Sequence, residues 1–248
     1  MKKTALLAAV ILLSASLGFA QSGATGSSGA SANGDDKYFH FGLNITPGLY
    51  FSSPGTSASN ISNSPNGAAF GFGYGINLEF YFTHNYGIAT GLEVTQFGTN
   101  YTSVATYKDS KNANITDSVI TSQHTQTMQY LELPLLLKLR TNSIGLIKYF
   151  GEFGLGTSFL LSAKDNQVIT RELYTVSSTE TSNNVDIYKQ SDFIRLSLVV
   201  GLGLEYNLSG STSIQGALTY DNAFTNVNSD GNNSILAKGV NLTIGVLF

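Results

Sequence analysis

From Val240 to its carboxyl terminus the chain reads Val-Asn-Leu-Thr-Ile-Gly-Val-Leu-Phe, apolar residues alternating with small or polar ones except at Leu247. A two-residue period places all the apolar side chains on one face of an extended strand. Seven segments upstream repeat it. The first sets Phe39, Phe41, Leu43, Ile45, Leu49 and Phe51 against His40, Gly42, Asn44, Thr46 and Gly48. The second sets Phe70, Phe72, Tyr74, Ile76, Leu78, Phe80 and Phe82 against glycines, Asn77 and Glu79. The others centre on Ile88–Val94, Leu131–Leu139, Tyr149–Phe159, Ile194–Leu204 and, more weakly, Ile214–Tyr220.

The connections alternate in length. Residues 83–85, 141–146 and 207–211 are short, whereas 52–67, 98–125, 161–190 and 222–234 are long and rich in Ser, Thr, Asn and Asp. Eight strands joined alternately by short turns and long loops are the pattern of an antiparallel up-and-down transmembrane β-barrel, with both termini at the short-turn end. A soluble eight-stranded barrel would alternate too. Its water-facing side would then be mostly glycine with a few charges, a poor exterior, whereas glycine suits a narrow lumen. The expected fold is therefore all-β, an eight-stranded membrane barrel over 37–248.

Composition agrees. Charged residues are 12% of the chain, against about 25% in ordinary soluble domains, and Gly numbers 26. Lys2 and Lys3, the apolar run Ala5–Leu17 and Gly18-Phe19-Ala20 read as a cleavable secretory signal over 1–20, too short for an anchor helix. Residues 21–36 read as a flexible Ser/Gly/Ala tail. Cleavage would leave 11 Lys and Arg against 16 Asp and Glu, an acidic balance that disfavours nucleic acid. There is no cysteine, hence no disulfide framework or thiolate metal site. The expected location is the bacterial outer membrane, the expected partners its lipid and the machinery that inserts barrels, and the terminal aromatic Phe248 the assembly signal.

Strand parity points nine charged residues inward: Glu79, Glu93, Glu132, Lys138, Arg140, Lys148, Glu152, Arg195 and Glu205. Isolated charges in a confined interior cost several kcal/mol, so these should pair across strands. Eight strands leave a lumen that side chains fill, which favours a structural plug over an ion pathway or gated pore.

Tyr130-Leu-Glu-Leu-Pro-Leu-Leu-Leu-Lys138 resembles a strand hallmark of the PorT-like outer-membrane β-barrel family, Tyr-x-Glu-x-Pro-Leu-x-x-Lys. The resemblance implies a small outer-membrane barrel; some relatives are tied to protein secretion and gliding. Pro134 cannot donate to a ladder and is expected to mark a bulge or kink.

No catalytic, cofactor or metal site is expected. The weaker alternative is an outer-leaflet lipid-modifying enzyme of the lipid A deacylase kind. His124 is the only histidine placed at the outer end, near Ser122, Ser118 and Asp117; as a solvated loop residue it carries no such chemistry. Binding of an unknown protein or ligand is expected in the long loops, which hold Tyr101, Tyr107, Tyr174 and Tyr188. An accessory role in protein secretion is the other alternative.

Overall fold

The computed structural model describes residues 38–56, 58–108, 116–173, 176–228 and 233–248. The segments 1–20 and 21–36, with Tyr174, lie outside the described residues. Ten antiparallel strands form: β1 (Phe39–Thr56), β2 (Ile61–Pro65), β3 (Ala68–Tyr81), β4 (Tyr86–Lys108), β5 (Thr116–Arg140), β6 (Ile147–Leu173), β7 (Val176–Asp186), β8 (Ile194–Ser209), β9 (Thr212–Ala223) and β10 (Asn233–Leu247). Eight close a ring in the order β1, β3, β4, β5, β6, β8, β9, β10. The ring is shut by β10 on β1, with Leu43 opposite Val246 and Ile45 opposite Ile244. Each neighbour in the ring also follows in sequence apart from the inserted β2 and β7, so the topology is up-and-down.

Burial settles the face that alternation left open. Leu43, Phe70, Leu135, Val200, Leu202 and Leu218 project outward without protein cover, while Glu79, Lys138, Arg195 and Ser197 are buried inside. An exterior of Leu, Val, Ile and Phe around a polar interior is the inverse of a soluble barrel. Aromatic rings flank this belt, with Phe39, Phe80, Tyr149 and Tyr206 toward the short turns and Phe51, Phe193 and Phe224 toward the other end. Such girdles occupy the two interfaces of a membrane barrel. The 12 residues of β9 reach roughly 30 Å along the barrel axis at a tilt near 40°, enough for an apolar band of ~25 Å.

The long connections 52–67, 98–125 and 161–190 are largely strand rather than loop. β4, β5 and β6 run for 23, 25 and 27 residues, about twice β9, and β4 stays paired with β5 up to Lys108 opposite Thr116. β2 adds to the β4 edge and β7 to the β6 edge, giving a five-stranded sheet beyond the belt. Thr, Val, Ile and Tyr in these segments suit strands. Polar residues on both faces hid them, because neither the outward side nor the inward side, which buries Thr99, Gln126 and Asp165, carries an apolar period.

Pro134 does not make a bulge. It pairs in register with Gly156 on β6, while pairing with β4 lapses between Leu135 and Glu132. There the Thr90 hydroxyl donates to the Pro134 carbonyl at 2.7 Å. The β5–β6 register slips instead between Gln129 and Tyr130, where the extra residue belongs to β6.

Candidate functional site

The lumen is built in layers. At the short-turn end Lys138 Nζ lies 2.6 Å from both Glu79 Oε1 and Glu205 Oε1, donates to Gln215 Oε1 at 3.3 Å and sits 3.9 Å from the Phe150 ring centroid. β5, β3, β8 and β9 each contribute one polar member, at positions where the inward parity of the strand meets the same height in the barrel. Glu79 also accepts from the Tyr81 hydroxyl (2.8 Å) and Asn77 Nδ2 (2.9 Å). Arg140 donates from Nε to the His84 carbonyl at 2.7 Å, stacks 3.7 Å over Tyr81, and reaches Glu205 at 3.9 Å. Lys148 stands opposite Glu205 in the β6–β8 register.

Above this cluster, Glu93, Glu132 and Glu152 line a cavity of about 100 Å³ together with Asn44, Thr219 and Asn241. Glu93 accepts from Asn44 Nδ2 (2.7 Å), Thr46 Oγ1 (3.2 Å) and Thr95 Oγ1 (3.2 Å). It faces Glu132 directly across β4 and β5. Glycines give these carboxylates their space: a Cβ on Gly73 would collide with Glu93, and one on Gly156 would lie 3.2 Å from Glu132 Oε1.

The next layer is a two-pronged pair, Arg195 Nη1 to Asp221 Oδ2 at 3.1 Å and Nη2 to Oδ1 at 2.5 Å, with Nη2 also donating to the Ala237 carbonyl at 3.3 Å. Both residues are almost fully buried. Beyond it the lumen turns apolar. Phe97 stacks between Tyr50 (4.5 Å between centroids) and Tyr130 (5.6 Å), packed with Met128, Leu160, Ile187, Val227 and Ile235. This seal closes the end opposite the short turns. Outside it, His124 Nδ1 lies 2.6 Å from Asp165 Oδ2, and Tyr101 stacks on the imidazole at 4.6 Å.

Of the nine charged residues expected inside, the structure brings Glu79, Lys138, Arg140 and Glu205 into one cluster, sets Lys148 beside it, gathers Glu93, Glu132 and Glu152 at the cavity, and places Arg195 one layer higher. Asp221, the partner of Arg195, was absent from the expected charge set although its strand parity faces it inward; the weak alternation of β9 was the signal. His124 is not a solvated loop residue. It lies on the inward face of β5, tied to Asp165 on β6, a partner 41 residues away that spacing could not reveal. Among the described residues no serine or threonine hydroxyl hydrogen-bonds to it. Tyr101 is buried rather than exposed, whereas Tyr107 and Tyr188 are exposed. Phe248 is exposed, and its backbone exchanges two hydrogen bonds with Phe41 (2.7 and 3.3 Å), ending the seam that closes the ring.

A closed eight-stranded ring, an apolar exterior with aromatic girdles and a polar packed interior define a membrane β-barrel. Residues 19–227 match the outer membrane protein beta-barrel domain, and the chain belongs to that family. No curated protein matches it. Among solved structures it is similar to the attachment invasion locus protein Ail of Yersinia pestis (12% identity, 84% of this chain and 98% of that chain, TM-score 0.29). It is also similar to the outer membrane protein OprG of Pseudomonas aeruginosa (11%, 84% and 95%, TM-score 0.38) and to Neisserial surface protein A (11%, 82% and 96%, TM-score 0.34).

Proposed function

We propose that this chain is a closed outer-membrane barrel of a bacterial envelope, without enzymatic activity, that binds a partner through the strand hairpins rising beyond its apolar belt. The observation that supports this most is the division of labour along the barrel. The lumen is filled by ionic, amide and aromatic layers, while β4, β5, β6 and β7 extend past the belt as a polar sheet, with Tyr107 exposed on β4 and Tyr188 exposed in the turn after β7. With the short turns and both termini on the periplasmic side, that sheet faces the cell exterior. Residues 1–20 act as the export signal in this reading, the mature chain starts at Gln21, and Phe248 is the signal read by the insertion machinery. The PorT-like motif at Tyr130–Lys138 supports a second use, as an accessory of protein secretion, which would act from the periplasmic turns instead.

Shortening β4–β5 and β6–β7 to tight turns at the belt tests the proposal. The trimmed barrel should still insert and should lose partner capture from native membranes. Full retention of capture, with loss on altering the 141–146 turn, would transfer the role to the periplasmic side.

A further inference from the structure

Most of the outward wall is apolar, but one patch departs from it. On β4, β5 and β6 the outward positions just past Val94, Leu131 and Phe159 change to Gln96, Gln129, Thr127, Lys164 and Asn166, which with Asn184 of β7 line a pocket of about 300 Å³. That volume is at the lower end for small-molecule sites. Ser162 completes the rim. Their direction is fixed by parity: Gln96, Thr127 and Lys164 are exposed, each between two buried neighbours.

Three irregularities of the chain meet at this patch. The β5–β6 register slips at Gln129/Tyr130, leaving Leu161 as the extra residue and re-aiming Ser162. The β6–β7 register slips at Asp165/Gln167. Asn184 has φ +56°, the only left-handed non-glycine residue among those described, and its N–H donates to Asn166 Oδ1 at 2.8 Å. Bulges gather at barrel rims and beside binding sites, and left-handed non-glycine backbone is costly enough to need a reason. Among the described residues Lys164 has no ion-pair or hydrogen-bond partner for its ammonium, which leaves it available to an external anion.

Depth selects the ligand. The pocket begins one residue pair above the apolar belt, at the level where the headgroups of the outer leaflet sit. Amide and hydroxyl side chains match sugar hydroxyls, and a free lysine matches a phosphate as a point charge. Acyl chains would run down over Val94, Leu131 and Phe159. Resting on the outer-membrane reading above, we infer that this patch binds the phosphorylated glucosamine headgroup of an outer-leaflet glycolipid.

The test is native mass spectrometry of the mature barrel refolded in detergent with diphosphorylated lipid A, with heat-modifiable gel migration reporting insertion-competent folding. The wild type should retain one lipid A molecule. Lys164→Ala and Gln129→Ala should fold normally and retain at least tenfold less. Lys238→Ala, which removes an outward cation at similar depth on β10, should retain as much as wild type. Phosphatidylglycerol should not replace lipid A, and millimolar inorganic phosphate should not displace it. Equal retention by all variants, equal retention of phosphatidylglycerol, or displacement by inorganic phosphate would overturn the site while leaving the barrel reading intact. Failure of the wild type to fold in detergent or lipid would overturn both.

Discussion

Lys138→Met is the substitution that most sharply examines the packed lumen. In the wild type one ammonium, 1% exposed, lies 2.6 Å from two carboxylates that are themselves buried. Methionine fills much of the volume and keeps contact with the Phe150 ring, so the loss is chiefly electrostatic. Removing one member of a buried ion pair costs about 3–5 kcal/mol, because the partner stays buried without compensation. Here two carboxylates are stranded, but Glu79 keeps the Tyr81 and Asn77 donors and Glu205 keeps Arg140 at 3.9 Å. These residual partners argue for a net loss inside that range rather than double it, about 4 kcal/mol. Urea unfolding in lipid vesicles, followed by gel migration without boiling, measures it. The double variant Lys138→Met, Glu79→Gln should recover about 0.5–3 kcal/mol, the size of a direct coupling. A single-variant loss below about 1 kcal/mol would mean that water already solvates this layer, and the filled lumen would be refuted.

Asp221→Asn should cost about 3–5 kcal/mol in the same assay, since it removes the carboxylate charge paired with Arg195 and leaves the buried guanidinium only neutral acceptors, the remaining amide oxygen and the Ala237 carbonyl. Gly154→Val should reduce refolding yield severely, because a Cβ there meets the Leu135 carbonyl and lies 2.8 Å from Leu136 Cα, backbone that cannot swing aside. Val200→Arg, on the outward face at mid-belt, should destabilise the barrel in bilayers by about 2–4 kcal/mol; no effect in bilayers would show that this face does not meet lipid. Deletion of Phe248 should slow assembly in cells, read as accumulation of unfolded chain in the periplasm, and unchanged assembly kinetics would remove its role as a signal.

Much of the ring was legible because a one-sided environment writes itself as a two-residue period: Phe70 to Phe82 needs only to be read in alternate steps. The number of ring strands and their order follow from that period and the turn lengths, and parity alone puts Glu79, Lys138 and Arg195 on the inward face. What stayed hidden lacked a one-sided environment or local sequence. The upper parts of β4, β5 and β6 are polar on both faces, outward toward water and inward around buried Thr99, Gln126 and Asp165. Phe97, Tyr130 and Tyr50 were assigned to no seal because inward aromatics interrupt a pattern that otherwise puts aromatics outside. The Arg195–Asp221 and His124–Asp165 pairs join residues 26 and 41 apart in sequence on neighbouring strands, and only the register of β8 on β9 and of β5 on β6 shows that they share one height.

An apolar wall surrounds a sealed, polar interior, and the environment of that wall can be measured site by site. Because the chain has no cysteine, single cysteines can be introduced and spin-labelled at Leu135, Val200 and Leu218 on the wall, and at Thr127 beyond the belt. Power-saturation electron paramagnetic resonance in bilayers should give high oxygen and low nickel-chelate accessibility at the first three sites, and the reverse at Thr127. High nickel-chelate accessibility at Leu135, Val200 and Leu218 would place that wall in water and contradict the account.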